Sequence, residues 1–252
     1  VNGKPVYYWK NKNGGKVPAG AGQIIIVKSN GVVVDNQNLS NSSYGVLLAY
    51  SNGITVSNTT TNGNYVGIKL YWSQINIIEN NICLSNMYSG ISLEYSDSSI
   101  LYNNTCNLNN FGIIMDETEY SNLSKNICNS NENYGIYFHD SDNNNLYYNI
   151  CNLNNRSGIY LYDYSNKNNI ENNTCNLNHD GIDLLKSSTN YIAYNTLDTN
   201  THYGINIRTT SSNNLIYHNT FLYNNQGNIQ ANDNGTNNRY STFGEGNFWI
   251  DY

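Results

Sequence analysis

Hydrophobic and polar residues alternate in short runs that begin at glycine: Gly67-Ile68-Lys69-Leu70, Gly90-Ile91-Ser92-Leu93, Gly135-Ile136-Tyr137-Phe138, Gly158-Ile159-Tyr160-Leu161, Gly181-Ile182-Asp183-Leu184 and Gly204-Ile205-Asn206-Ile207. Alternation with period two is the pattern of a half-buried strand. The runs recur. Gly22, Gly45, Gly67, Gly90, Gly112, Gly135, Gly158, Gly181, Gly204 and Gly227 lie 22 or 23 residues apart. A polar turn follows, often with serine (Ser73, Ser96, Ser141, Ser165, Ser187), then one aliphatic residue (Ile78, Leu101, Leu123, Leu146, Ile170, Ile192, Ile216), then an Asn-x-Cys motif. The five cysteines are 23, 22, 23 and 24 residues apart. Thr60, Leu197 and Phe221 take the cysteine place in other repeats.

A fixed period in this range marks a repeat architecture. No helical period appears. Three short strands per turn, all running the same way, predict an all-β fold, a single-stranded parallel β-helix of about ten coils. Coils stacking at ~4.8 Å make a rod about 45 Å long. Each alignment column becomes a ladder of like residues. Asn81, Asn104, Asn126, Asn149, Asn173, Asn195 and Asn219 form one asparagine ladder, two residues before the cysteine place. Asn86, Asn109, Asn131, Asn154, Asn178, Asn200 and Asn224 form another, three residues after it. Stacked amides hydrogen-bond along the axis, and asparagine tolerates the turn conformations of a corner.

Residues 22–229 carry the repeat. Residues 1–21 do not fit it, and their run Val6-Tyr7-Tyr8-Trp9 is expected to cover the first coil as an N-terminal cap, because an open solenoid end is an unpaired sheet edge. Residues 230–252 are expected to form a C-terminal cap with an aromatic plug of Phe243, Phe248, Trp249 and Tyr252.

Composition narrows the partners. The chain has 252 residues, 12% of them charged, a net charge of −6 and no Lys/Arg cluster. Nucleic acid is therefore not expected as a partner, since phosphate binding needs a basic footprint. No apolar run approaches the ~20 residues of a membrane span, so no membrane insertion is expected within this chain. No signal peptide is visible at Val1, and the chain is expected to begin after a processing site or to be cut from a longer one.

The repeat Gly-Ile-x-Leu-x-x-Ser-x-x-Asn-x-Ile-x-x-Asn resembles that of NosD-like, CASH-type right-handed parallel β-helix proteins, of the kind found on methanogenic archaeal cell surfaces. The opening Val1-Asn2-Gly3-Lys4-Pro5-Val6-Tyr7-Tyr8 and the closing Gly246-Asn247-Phe248-Trp249-Ile250-Asp251-Tyr252 also look like the ends of such modules. The resemblance spans essentially the whole chain. It implies a right-handed β-helix and an extracellular or cell-surface location. It implies no single activity, because the family includes surface modules, carbohydrate-active enzymes and copper-binding proteins, and fold does not fix function. With two methionines, inward cysteines and four histidines (His139, His179, His202, His218) assigned to different columns, the residues give copper no support. No metal site and no cofactor is expected; calcium on an acidic face is an option that no motif backs.

Two groups of columns carry candidate chemistry. Cys83, Cys106, Cys128, Cys151 and Cys175 point inward in place of the family's isoleucine. Three readings stand: buried thiols serving as small apolar residues, disulfides between neighbouring coils, or a soft-metal thiolate ladder. The outward columns of the glycine strand bring Glu94, Asp116, Asp140, Asp163 and Asp183 onto one face with Tyr137, Tyr160, Tyr162 and His139. Paired carboxylates ~5–9 Å apart can act as acid and base on a glycosidic bond, with Asp116, Asp140 and Asp163 as the catalytic candidates. The same face suits non-catalytic glycan or calcium binding, or is plain solvated surface. The leading expectation is a secreted structural or adhesive module of a cell envelope that associates with copies of itself or with surface polysaccharide. The alternative is a polysaccharide-cleaving enzyme, a hydrolase or lyase, using the acidic face.

Overall fold

The computed structural model describes residues 1–250; Tyr252 of the expected plug lies outside them. The chain winds as a parallel β-helix with three sides. The first is an eleven-stranded sheet running from Val6–Lys10 and Gln23–Val27, through strands such as Ser89–Glu94, Tyr134–His139 and Asp180–Leu185, to Ile205–Ile207 and Ala231–Asp233. The second is a nine-stranded sheet from Val33–Asp35 to Leu215–Tyr217. The third has three strands at each end, joined by single bridges from Ile82 through Thr105, Ile127, Ile150 and Thr174 to Thr196. All strand pairs within these sheets are parallel; the register sets Ile91 beside Ile68 and Ile113, and Leu101 beside Ile78 and Leu123.

The apolar columns fill the interior. Ile68, Ile91, Ile113, Ile136, Ile159 and Ile182 are fully buried, as are Leu70, Leu93, Met115, Phe138, Leu161 and Leu184. Each such side chain contributes about 1.5–3 kcal/mol on burial. The glycine column has a steric reason. A Cβ at Gly90 would sit 2.8 Å from the Gly112 carbonyl oxygen and 2.9 Å from Cys106 Cβ. The backbone there leans on the cysteine place, and only a hydrogen fits.

The structure revises the register at three points. Gln23 pairs with Val6, and Ile24 with Val46, so Gln23 and not Gly22 holds the glycine position of the first coil. Ala231 pairs with Ile205, which gives that position to Gln230; Gly227 falls in a 3₁₀ turn, Asn224–Gly227. The repeat thus makes about nine coils, not ten. Thr61, not Thr60, pairs with Cys83 and with Leu39. Turns of variable length separate the strands at these three points, so even spacing along the chain does not carry the register across them.

The corners are polar and continuous. Asn149 Oδ1 accepts from the Asn126 backbone N–H at 3.0 Å and from Asn126 Nδ2 at 3.0 Å, while Asn149 Nδ2 donates to the Leu123 carbonyl at 2.9 Å. The same triad links Asn81 to Asn104, Asn104 to Asn126, and so on to Asn247. The second ladder runs from Asn64 through Asn86 and Asn109 to Asn224 and ends on Gln230 Oε1. Two further ladders appear, a serine-rich one from Ser29 to Ser165 that resumes between Ser187 and Ser211, and a mixed one from Asn76 to Asn238. The ladder asparagines are not themselves the left-handed residues. Those are the residues just before them, such as Asn80, Asn103, Lys125, Tyr148 and Asn172, with φ between 52° and 57°. A left-handed residue costs roughly 1–2 kcal/mol, offset by the buried hydrogen bonds that follow it.

Candidate functional site on the outer face of the eleven-stranded sheet

Each coil presents its outward residues on this sheet just before the glycine and two and four residues after it. The next residue is a left-handed corner: Trp72, Tyr95, Glu117, Asp140, Asp163 and Lys186 have φ of 44° to 54°. With coils in register, a residue's neighbour is its counterpart one coil away.

Rings form a strip along the axis. Tyr65 stacks on Tyr88 with centroids 5.4 Å apart, Tyr88 meets Phe111 at 5.3 Å, and Phe111 meets Tyr134 at 5.8 Å. Tyr134 stacks on Tyr160 at 4.8 Å, Tyr160 on Tyr162 at 5.8 Å, and Tyr162 on His139 at 5.6 Å. Tyr137 fills the space between Phe111 and Tyr160. Burial, helped by Asp116 for Tyr137 and by Asp183 for Tyr160, pushes both phenols far above their ordinary range, so they stay protonated.

Charges along the strip pair between neighbouring coils. Lys69 Nζ lies 2.7 Å from Glu94. His139 Nδ1 lies 2.6 Å from Asp116, His139 Nε2 lies 3.9 Å from Asp163, and Lys186 Nζ lies 3.0 Å from Asp163. The structure places two of the three catalytic candidates around His139 and the third at a cavity of its own. Asp116 and Asp163 flank His139 on its two ring nitrogens. Asp140 faces a separate cavity of about 180 Å³ with Tyr95, Asp97, Glu117 and Glu119. Burial and then the Glu117 charge raise its carboxyl above the usual range.

The outward columns are less exposed than alternation predicts. Asp183 is 1% exposed and Tyr160 is 7%. Asp183 receives Arg208 in a two-pronged pair, from Nε at 3.0 Å and Nη2 at 2.5 Å. Burial raises its carboxyl to about 6, against the opposing pull of Arg208.

Beside it stands a group that column counting assigned wrongly. His179 and His202 are not in different columns; both lie two residues before a glycine, and their rings are 4.7 Å apart. Asp180, 1% exposed, sits beneath them. Its Oδ1 accepts from the Tyr203 N–H at 3.1 Å and lies 3.0 Å from His202 Nδ1. Its Oδ2 accepts from Asn206 Nδ2 at 3.2 Å and lies 3.3 Å from His179 Nδ1. Cavities of about 260 and 440 Å³ open on either side of the pair. The usable signal was the 23-residue spacing of the two histidines. His139 and His218 do stand apart, His218 against Glu245 at 2.9 Å.

The five cysteines are free and fully buried. Cys106 meets both Cys83 and Cys128, and burial pushes the Cys106, Cys151 and Cys175 thiols well up. Cys106, Cys128, Cys151 and Cys175 pack as small apolar side chains against the glycine column.

Known proteins share this architecture. The structure is similar to that of the periplasmic alginate epimerase AlgG, at 13% identity over 91% of this chain and 73% of that one, with a TM-score of 0.73. It is similar to the A-module of Azotobacter vinelandii mannuronan C-5 epimerase AlgE4, at 12% identity over 99% and 92%, with a TM-score of 0.74. A third likeness, to DFA-IIIase from Arthrobacter chlorophenolicus A6, has 12% identity over 79% and 56% and a TM-score of 0.68. At these identities the likeness shows the right-handed parallel β-helix and nothing more. No curated protein matches the sequence. Residues 2–157 and 149–252 both match a single family model, so the chain belongs to the family described as periplasmic copper-binding protein (NosD).

Proposed function

We propose that the chain is an extracytoplasmic envelope module that binds an extended polysaccharide along the outer face of the eleven-stranded sheet. The observation that carries this reading is the strip of rings from Tyr65 to Tyr162, with paired charges along its edge. A sugar ring presents a C–H face that packs on an aromatic face and hydroxyls that hydrogen-bond carboxylates. Rings repeated from coil to coil suit a ligand that repeats as well. The neighbours include proteins that act on alginate and mannuronan, which favours a polysaccharide as the ligand class. Binding without cleavage is favoured because Asp116 and Asp163 are held by His139 and Lys186, and so are not poised as a separate acid and base.

One observation favours an enzyme instead. His179, Asp180 and His202 form a compact acid–base group beside open cavities. Affinity electrophoresis against neutral and uronate-containing polysaccharides separates the readings. The binding module predicts retardation by at least one polymer, weakened about tenfold in the Tyr134→Ala/Tyr162→Ala double variant if each ring contributes about 0.5–1.5 kcal/mol. Absence of retardation by every polymer tested overturns it. So does turnover, read as new reducing ends or unsaturated products, that disappears in His202→Gln.

A further inference from the structure

His179, Asp180 and His202 bring together three donor groups that suit a metal ion. All three ligand atoms lie within 4.8 Å of one another. His202 Nδ1 is 3.0 Å, and His179 Nδ1 3.3 Å, from the two oxygens of Asp180. Metal–nitrogen and metal–oxygen bonds of about 2.0–2.2 Å, at tetrahedral to octahedral angles, put adjacent donors roughly 3.0–3.4 Å apart. Both histidine–aspartate pairs are thus already near the spacing that an ion would impose.

The surroundings support the same use. Asp180 is buried, and a buried carboxylate needs partners. The Tyr203 N–H and Asn206 Nδ2 hold one oxygen each and would remain as its outer hydrogen bonds, the arrangement that orients metal ligands. The two imidazoles are about half exposed, 53% and 41%, so an ion can reach them without unfolding the coil. The flanking cavities leave room for water or a ligand hydroxyl on the open side. A nitrogen–oxygen set of two imidazoles and one carboxylate takes copper(II) more tightly than zinc. The family description names copper, and this is a set of residues in this chain that fits it.

We infer that His179, Asp180 and His202 form a surface copper(II) site, with both histidines ligating through Nδ1 and Asp180 through its carboxylate. Binding would replace the His202–Asp180 hydrogen bond and the His179–Asp180 contact, each ring carrying its proton on Nε2. The inference does not depend on the polysaccharide reading, and its test involves no glycan.

The experiment is titration of the full chain with copper(II), followed by calorimetry and electron paramagnetic resonance. The expected result is one ion per chain at micromolar concentration or tighter, with nitrogen hyperfine structure from two imidazoles. His179→Gln/His202→Gln should weaken binding at least tenfold and remove that structure. Both rings are half exposed, so this variant should keep its circular dichroism spectrum and melting temperature. His218→Gln, on another corner, should bind as the parent does. In the parent, the ion should raise the melting temperature in a concentration-dependent way. Lack of saturable binding, unchanged binding in the double variant, or loss of binding in His218→Gln would each overturn the site.

Discussion

Inside the coil, one column reads Asn81, Asn104, Asn126, Asn149, Asn173, Asn195, Asn219 and Asn247. On the outer face of the same coils, another reads Tyr71, Glu94, Asp116, His139, Tyr162 and Leu185. The backbone that carries both is equally regular. The difference lies in what each side chain must bond. A buried asparagine bonds to the same residue one coil away, so its identity propagates along the axis. An outward residue meets solvent or a charge of its own choosing, so nothing forces repetition. Repetition marks where stability is made, and its loss marks where chemistry can differ from coil to coil.

The largest expected effect breaks the repeated side. Asn149→Ala removes the acceptor of the buried Asn126 N–H and the donor to the Leu123 carbonyl. With each unpaired buried group costing about 1–3 kcal/mol, urea unfolding should show a loss of roughly 3–5 kcal/mol. A loss below about 1 kcal/mol would mean that the ladder is not the source of stability described above.

A smaller effect, of opposite sign, comes from a fault in an inward column. Thr61 stands in the cysteine column, fully buried, and its Oγ1 has no hydrogen-bond partner among the described residues. Thr61→Val keeps the shape and removes the orphan hydroxyl. It should stabilise the protein by about 1 kcal/mol, seen as a higher urea midpoint with an unchanged slope.

The smallest effect belongs to the outside. The Lys16 hydrogen bond, followed by those from Asn58 and Ser57, holds the Asp35 carboxyl at about 2. Its folded pKa lies below its unfolded value. The contribution is therefore fully present above pH ~4 and is lost as pH falls through about 2. Lys16 is mostly exposed, and such pairs are worth little. Asp35→Asn should lower stability at neutral pH by no more than about 1 kcal/mol and remove an equal fall between pH about 4 and 2; an acid limb as steep as the parent's would contradict this.

The same comparison explains what could be read from the chain. The inward columns were legible because each one repeats: isoleucine and leucine after glycine, the aliphatic residue of the second sheet, and two asparagine ladders. The cysteine column was legible for a related reason, since Leu197 and Phe221 occupy it as well. The ring strip and the ion pairs were legible only as residues on one face, not as partners.

The sequence by itself determined the period, the parallel winding and the inward residues of the glycine-led strands, because strand alternation and coil spacing are properties of the chain alone. Tertiary structure decided which outward groups meet. Coils of 22 to 28 residues are brought into register by hydrogen bonds between strands, and turns absorb the difference. Counting therefore placed Gly22, Gly227 and Thr60 in columns they do not hold, and the histidine pair was scattered for want of the same register. Burial on the outer face was also settled in three dimensions. Asp180 and Asp183 sit in outward positions, yet neighbouring side chains close over both, and one gains two histidines while the other gains Arg208.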